Sequence, residues 1–256
     1  SKETRGKILA VYNAVVLGGL FGGQFLLNLA APSENTLFIV AAIMLCLAIM
    51  PIALSKNSGP QIEEVSSMSI VALIKKSPLG VVCCVSGGLI FAALFNMLPM
   101  FAKHYQIEGF ELTLFMGVAI FGAFVLQFPV GYLSDKFDRR TVILLLLLVS
   151  ATVGIIATLV APLSSQWPLF AATSITTGII ACLYPLSISE AFDKLKQNEM
   201  VSAMGSMILA FSIGGIIGPY SAAIVMGYFG STSLFYFLAV IQILLAGFVL
   251  YRMQVT

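Results

Sequence analysis

The side chains best able to form specific polar contacts are concentrated in the ten-residue stretch Gly131 to Arg140, GYLSDKFDRR. This stretch contains two acids and three bases, although only 9% of the 256 residues are charged. Charges of both signs in one short segment can form ion pairs with each other or with neighbouring segments. The flanking residues Leu112–Ser134 and Thr141–Ser189 contain no Asp, Glu, Lys or Arg. The charged stretch therefore interrupts a very apolar part of the chain.

The remaining reactive side chains show no pattern of a metal site or a catalytic centre. Cys46, Cys83, Cys84 and Cys182 lie inside apolar runs without C-x-x-C spacing, so we expect neither disulfides nor a bound metal. The single histidine, His104, lies in a polar segment and is expected to be solvated. The sequence has no H-E-x-x-H motif, no P-loop and no acid pair within an apolar run, so we expect no cofactor and no enzymatic centre.

The composition is that of an integral membrane protein. Mean hydropathy is +1.04, and soluble domains carry roughly 25% charged residues. The uncharged runs are Ile8–Ser33, Asn35–Ser55, Ser77–Ala102, Leu112–Ser134, Thr141–Ser189 and Met200–Tyr251. A spanning helix needs about 20 such residues, so the first four runs hold one span each. The last two runs have breaker-rich centres and hold two spans each, which predicts an all-α protein with eight transmembrane helices.

The distribution of basic residues predicts the orientation in the membrane. With eight alternating spans, twelve of the 13 Lys and Arg side chains fall on one side, and only Lys103 falls on the other. Because Lys and Arg accumulate in short cytoplasmic loops, we expect both termini of this segment in the cytoplasm.

The longest polar interruption, residues 56–76, is predicted to be a cytoplasmic linker between two spans in residues 1–55 and six in residues 77–256. Apolar residues within it are compatible with a short amphipathic helix at the headgroup level, and a disordered linker is the alternative. Ser77 and Pro78 are typical of an N-cap followed by proline at the first helical position, where the third span begins.

A glycine pattern occurs twice. Residues 18–23, GGLFGG, match residues 214–219, GGIIGP, and both stretches lie at the same depth in spans that begin on the cytoplasmic side. Small residues at this spacing allow close packing of membrane helices. The two spans are also six apart, which is the relation expected in transporters built from two parallel six-helix halves.

The charged stretch follows the pattern G-x-L-S-D-K-x-D-R-R-x-x-I between the fourth and fifth spans. It resembles the loop signature of the major facilitator superfamily, G-x-L-[AS]-D-[RK]-x-G-R-[RK]-x-x-[LIV]. Asp138 departs from this signature, because it stands where the family usually has glycine. Four spans follow the motif here, so the resemblance implies the loop between helices 8 and 9 of a twelve-helix transporter. The eight spans then correspond to family helices 5 to 12, and the first four helices, which the full fold needs, are missing from this chain.

Two shorter segments, Ser77–Val82 and Gly214–Pro219, also resemble the bacterial YcaD-like subgroup. The resemblance implies a multi-pass protein of the bacterial inner membrane that moves a small molecule by alternating access. It also implies outward, efflux-like transport, with a proton as the candidate coupling ion and no nucleic-acid partner. The helix 5 motif of drug antiporters, G-x-x-x-G-P, is kept at Gly18 and Gly22, but Gly23 replaces the proline and weakens an antiporter interpretation. An intramembrane enzyme or a channel is the alternative function.

The charged motif predicts a conformational latch. Glycine lets another backbone approach closely, and Gly131 is expected to end family helix 8. The resemblance implies that Asp135 lies beside the cytoplasmic N-terminus of family helix 11, around residues 200–204. The free N–H groups there favour an anion.

The two arginines of the motif require acidic partners. Glu190 and Asp193, on the same side of the membrane, are the nearest candidates, and we expect a contact between Arg139 and Glu190. Contacts of this kind between moving helices would bias the equilibrium between outward-open and inward-open states. The alternative is that Arg139, Arg140 and the neighbouring Lys136 serve only to determine topology.

The resemblance also implies a substrate cavity near the membrane midplane, with family helices 7 and 10 central and helices 5, 8 and 11 beside them. The candidate substrate-binding residues are Asn13, Gln24, Asn96, Gln127 and Tyr184, with Phe91 and Phe95 as aromatic candidates. Each polar residue could instead form an interhelical hydrogen bond worth about 0.6 kcal/mol. No charged residue lies at midspan, so we expect a neutral or lipophilic substrate, with any proton-coupling acid in the missing helices.

Overall fold

The computed structural model describes residues 15–16, 18–30, 34–54, 68–163 and 165–255, and the secondary structure in these ranges is helical. The helices are α1 Thr36–Ala53, α2 Ile70–Lys76, α3 Pro78–His104, α4 Gly109–Lys136, α5 Arg139–Val160, α6 Trp167–Phe192, α7 Met200–Phe229 and α8 Ser233–Val255. Residues 18–26 are also helical, and Gln197–Glu199 form one 3₁₀ turn before α7. The predicted all-α fold is confirmed.

Among the described residues, six helices, α3 to α8, are long and apolar enough to cross a membrane. At 1.5 Å per residue these helices are about 33–45 Å long, and the hydrocarbon core is about 30 Å thick. They confirm six of the eight predicted spans, and the protein is a polytopic membrane protein. The apolar helix α1 lies at the second predicted span, whereas most of the first predicted span, Ile8–Ser33, lies outside the described residues.

The two longest apolar runs divide where their polar centres predicted a break. The first run is interrupted between the end of α5 at Val160 and the start of α6 at Trp167. The second is interrupted at Gly230, which has a φ of 84° and caps the end of α7 with its N–H bonded to the Met226 carbonyl. Glycine adopts this left-handed conformation without steric cost, which explains why α7 ends there.

The short helix α2 is the described part of the predicted linker helix. The Ser69 hydroxyl accepts a hydrogen bond from the Ala72 N–H and caps its start, while Leu73 is fully buried against the first turns of α3 and α7. Lys76 at its end pairs with Glu199 just before α7. The linker residues before Met68 lie outside the described residues. Ser77 is the N-cap of α3, as predicted, but its hydroxyl forms no capping bond.

The six spanning helices pack against one another in pairs. The most extensive contacts join α3 to α7, α4 to α6 and α5 to α8, and α6 also packs against α3 and α5. By contrast, most described side chains of α1 are exposed. The helical residues 18–26 lie against the first half of α4, where the rings of Phe21 and Phe25 face Gly117.

Glycines allow the backbones of α3 and α7 to touch. A Cβ atom at Gly214 or Gly218 would collide with the carbonyl oxygens of Val85 and Leu89, and one at Gly88 would collide with the backbone of Phe211. The second copy of the glycine pattern therefore serves close helix packing. At the glycines of the first copy, in residues 18–23, nothing lies within 4 Å of the position of an added Cβ.

Replacing Gly214 by alanine is expected to destabilise the bundle, because the added methyl group must push α3 and α7 apart. Overpacking of this kind costs about 1–3 kcal/mol. The matched control is Gly205→Ala on the same helix, where an added Cβ meets nothing within 4 Å. Thermal unfolding in detergent should show a lower Tm for Gly214→Ala and an equal or higher Tm for Gly205→Ala. Equal Tm values for the two variants would contradict the close contact.

Candidate functional site

A cavity of about 170 Å³ lies within the membrane-spanning bundle. Its lining residues come from α3, α4, α6, α7 and the helical segment before α1: Val16, Phe91, Ala123, Gln127, Ile180, Ala181, Tyr184 and Phe211. We call it the central cavity. None of these side chains is charged, and most are apolar.

Aromatic rings form a continuous cluster on one side of the central cavity. The ring centroid of Phe211 lies 4.6 Å from that of Tyr184 and 6.0 Å from that of Phe91, and Phe91 in turn lies 4.5 Å from Phe95. Rings at these separations attract one another beyond the effect of their buried area. The cluster thus joins α3, α6 and α7 beside the cavity.

Two polar groups face this aromatic surface without a partner. Neither the side-chain amide of Gln127 nor the hydroxyl of Tyr184 makes a hydrogen bond to any residue that the structure describes. Both side chains are only half-buried, so their polar groups are accessible to a molecule in the cavity.

The structure brings together two of the five predicted substrate-binding residues, Gln127 and Tyr184. Asn96 is exposed, and its side-chain amide donates to the Ala92 carbonyl of its own helix at 2.8 Å. Gln24 is half-buried and does not line the central cavity. Asn13 lies outside the described residues. Of the aromatic candidates, Phe91 lines the cavity.

Sequence reasoning missed Phe211, which closes the cavity on the side of α7. Phe211 lies three residues before Gly214 and seven before Gly218, so all three share one face of α7. The glycine pattern therefore contained the signal, because the face that packs against α3 also carries the ring that reaches the cavity.

A second cavity of about 120 Å³ adjoins the first at Gln127 and extends toward the charged end of the bundle. One wall is a face of α4 and the other a face of α6, and its lining residues are Gln127, Val130, Gly131, Ser134, Asp135, Cys182, Pro185, Leu186 and Ser189. We call it the cytoplasmic cavity, because the charged motif at this end is predicted to face the cytoplasm. Because Gln127 lines both cavities, the two adjoin at this residue.

The prediction that Gly131 ends its helix is wrong, and no close contact at Gly131 occurs among the described residues. Gly131 lies inside α4, which continues to Lys136, and nothing lies within 4 Å of the position of an added Cβ. The absence of a side chain there leaves room in the cytoplasmic cavity.

The two arginines of the motif have the predicted acidic neighbours in a different pairing. Arg140 Nε lies 3.3 Å from Glu190 Oε1, and Arg139 Nε lies 3.2 Å from Asp193 Oδ2. The expected contact between Arg139 and Glu190 is therefore wrong. Side chains of consecutive residues on a helix point about 100° apart. The two arginines therefore reach different acids, Glu190 and Asp193, which lie about one turn apart at the end of α6.

Glu190 is the buried centre of this group of charges. Its carboxylate also accepts a contact from Lys194 Nζ at 3.1 Å, and the side chain is 5% exposed. A carboxylate removed from water requires such partners, because an unpaired buried charge is costly. We call Arg139, Arg140, Glu190, Asp193 and Lys194 the charge bracket.

Asp135 does not lie where the family resemblance placed it. Its side chain is 82% exposed, and its ion pair in the described part of the chain is with Arg139 on the next helix, at 4.0 Å. At the start of α7 the acidic residue is instead Glu199, which accepts a hydrogen bond from the Lys196 N–H and pairs with Lys76. An acid immediately before an apolar run was the sequence signal for this residue.

Asp138 has a structural role that explains its departure from the family pattern. Its carboxylate accepts hydrogen bonds of 3.1 Å from both the N–H and the hydroxyl of Thr141, so it caps the start of α5. The connection between α4 and α5 consists of only Phe137 and Asp138.

The fold and the site define a polytopic membrane protein with two adjoining cavities in its helix bundle. Residues 102–255 match the model of the Major Facilitator Superfamily, and since this match covers more than half of the chain, the chain belongs to that family of membrane transporters.

Curated relatives agree with the family assignment. The chain is 27% identical over 242 residues to the "Uncharacterized MFS-type transporter YcaD" of Escherichia fergusonii, covering 93% of this chain and 62% of the relative. Proteins of the same name from Shigella flexneri and Escherichia coli O139:H28 are 27% identical over 241 residues with the same coverage. The chain thus spans 62% of the length of these relatives.

A double-mutant cycle is expected to separate the buried ion pair from the exposed one. Arg140→Met and Glu190→Gln should show a coupling energy of about 1–3 kcal/mol, because the pair is largely removed from water. The matched control is Arg139→Met with Asp193→Asn, whose acid is half-exposed, and about 0.2–1 kcal/mol is expected there. The measurement is the free energy of unfolding in detergent micelles. A larger coupling for the control pair would refute the assignment of Glu190 as the centre.

Proposed function

We propose that the chain forms family helices 5 to 12 of a secondary active transporter that moves a small molecule by alternating access. The observation that carries this proposal is that the central and cytoplasmic cavities adjoin at Gln127, which lines both. A binding site near the midplane with a path toward one side is the arrangement that alternating access requires.

In this proposal residues 77–256 are the C-terminal six-helix half, residues 56–76 the central linker, and residues 1–55 the last two helices of the other half. The mutual packing of α3 to α8 and the exposure of α1 support this division. The first four family helices would cover α1 and complete the central cavity. The length of the relatives leaves room for them.

The proposed cargo is an uncharged small molecule, moved outward across a bacterial inner membrane at the expense of an ion gradient. The uncharged lining of the central cavity supports this choice, because an ionic cargo would lose its water without gaining a counter-charge. A proton is the proposed coupling ion, and its binding acid would then lie outside residues 77–256. The basic residues at the ends of α2, α4 and α6 support a cytoplasmic position for this side of the bundle.

Within the proposed latch, Asp135 and the charge bracket have different tasks. Both ion pairs of the bracket join α5 to α6 within one bundle, so they hold these two helix ends together throughout the cycle. The carboxylate of Asp135 is left exposed beside the cytoplasmic cavity. Asp135 is therefore the member that contacts the other half when the cytoplasmic side closes. Gly131 keeps the adjoining path open.

Alternating access predicts opposite changes in thiol labelling at the two ends of the path. Cys182 lines the cytoplasmic cavity, and Leu114 lines a cavity at the outer ends of α4 and α6. In the full-length protein, with Cys182 or Leu114→Cys as the sole reporter thiol, a proton gradient should increase labelling of one and decrease labelling of the other. Impermeant reagents should reach Cys182 only from the cytoplasm. Labelling that changes in parallel at both positions, or not at all, would refute the proposed function.

Neutralising Asp135 is expected to favour the state that is open to the cytoplasm. Loss of a carboxylate contact worth about 0.3–1 kcal/mol shifts the equilibrium about twofold to fivefold. Labelling of Cys182 in Asp135→Asn should accelerate by this factor, and transport should fall. The matched control is Asp138→Asn, which removes an equal charge three residues away while asparagine still caps α5. Equal labelling rates in Asp135→Asn and the unmodified protein would contradict the latch. The basic residues of the motif would then serve only to determine topology.

A further inference from the structure

The central cavity combines two features that restrict its ligand. Aromatic rings of Phe91, Tyr184 and Phe211 form one wall. Gln127 and Tyr184 bring an amide and a hydroxyl that have no hydrogen-bond partner among the described residues. Apolar walls with a few convergent polar groups are typical of small-molecule sites, in which the polar groups orient the ligand.

We propose that this cavity binds an uncharged, flat ring compound that carries an amide or a ring carbonyl, an assignment that rests on the transport function proposed above. The ring packs against Phe211 and Phe91. The carbonyl oxygen accepts a hydrogen bond from the Gln127 amide or the Tyr184 hydroxyl, and an N–H of the ligand donates to the Gln127 side-chain oxygen.

The described part of the central cavity has room for one ring. A cavity of about 150 Å³ lined by Leu, Ile and Phe holds one benzene molecule. The central cavity measures about 170 Å³ between the described residues, which fits one ring with a short polar substituent. A saturated ring of the same size packs less well against the aromatic wall, because it is thicker and lacks the attraction between ring edges and faces.

Charge provides the second restriction. The charged side chains nearest along the path are Asp135, at the far end of the cytoplasmic cavity, and the charge bracket beyond it. A benzoate or an anilinium ion in the central cavity would therefore lose its hydration without a counter-ion. A neutral amide loses less hydration free energy on entering the cavity than an ion does, and it gains hydrogen bonds to Gln127 and Tyr184 in return.

Three matched probes test this assignment in the purified full-length protein. Acetanilide is a neutral aromatic amide, N-cyclohexylacetamide has the same amide on a saturated ring, and benzoate is an aromatic anion. Equilibrium dialysis with radiolabelled probes should give a Kd for acetanilide about threefold to tenfold lower than for N-cyclohexylacetamide, and at least tenfold lower than for benzoate. Equal Kd values for acetanilide and either of the other probes would overturn the assignment.

Variants locate the bound probe. Phe211→Leu should remove the preference for acetanilide over N-cyclohexylacetamide, whereas Gln127→Leu should weaken both amides about tenfold and leave their ratio unchanged. The matched control is Phe128→Leu, whose ring lies next to Gln127 in sequence but is 58% exposed on the outside of the bundle. An unchanged preference in Phe211→Leu, or the same loss in Phe128→Leu, would place the probe elsewhere and overturn the assignment.

The labelling of Cys182 and Leu114→Cys separates this inference from the proposed function. Alternating labelling without selective binding of acetanilide would overturn the ligand class and leave the transport function intact. Selective binding without alternating labelling would refute transport and leave a binding cavity for neutral aromatic amides.

Discussion

Direct contact between helix backbones is the constraint on which the rest of the structure depends. Gly88 on α3 touches the backbone of Phe211, and Gly214 on α7 touches the carbonyl of Val85. Phe91 follows Gly88 by three residues, and Phe211 precedes Gly214 by three, so each ring lies within one turn of a contact. The separation of the two rings, 6.0 Å between centroids, is therefore determined by glycines that do not touch the cavity.

The same principle operates between α4 and α6. A Cβ at Gly122 would collide with the Ser174 carbonyl, and one at Gly178 would lie 2.6 Å from the Gly122 carbonyl. Gln127 and Tyr184 follow these glycines by five and six residues, and both line the central cavity. At the charged end of the bundle, the ion pairs of the charge bracket join α6 to α5 instead.

The elements of the fold could be predicted from sequence because they depend on local properties. Continuous apolarity marked the spans, and glycine, proline and polar residues marked the breaks near Val160 and Gly230. The pairing of side chains depends instead on the rotation of one helix against another, and an error of one residue turns a side chain by about 100°. For this reason the sequence identified the two acids near Arg139 and Arg140 but not which arginine pairs with which acid. In the same way, Gln127 was predicted to line the cavity, whereas Phe211, one of 19 phenylalanines, was not.

The anchoring of α2 has a mechanical consequence. Leu73 is buried against α7, the Ser206 hydroxyl of α7 donates to the Met68 carbonyl, and Lys76 pairs with Glu199. A force applied to the chain just before α2 is therefore delivered first to the start of α7, and through the α3–α7 backbone contact to α3 as well. Any protein or lipid that pulls on this segment acts on the two helices that hold Phe91 and Phe211, so the spacing of these two rings becomes sensitive to tension applied before α2.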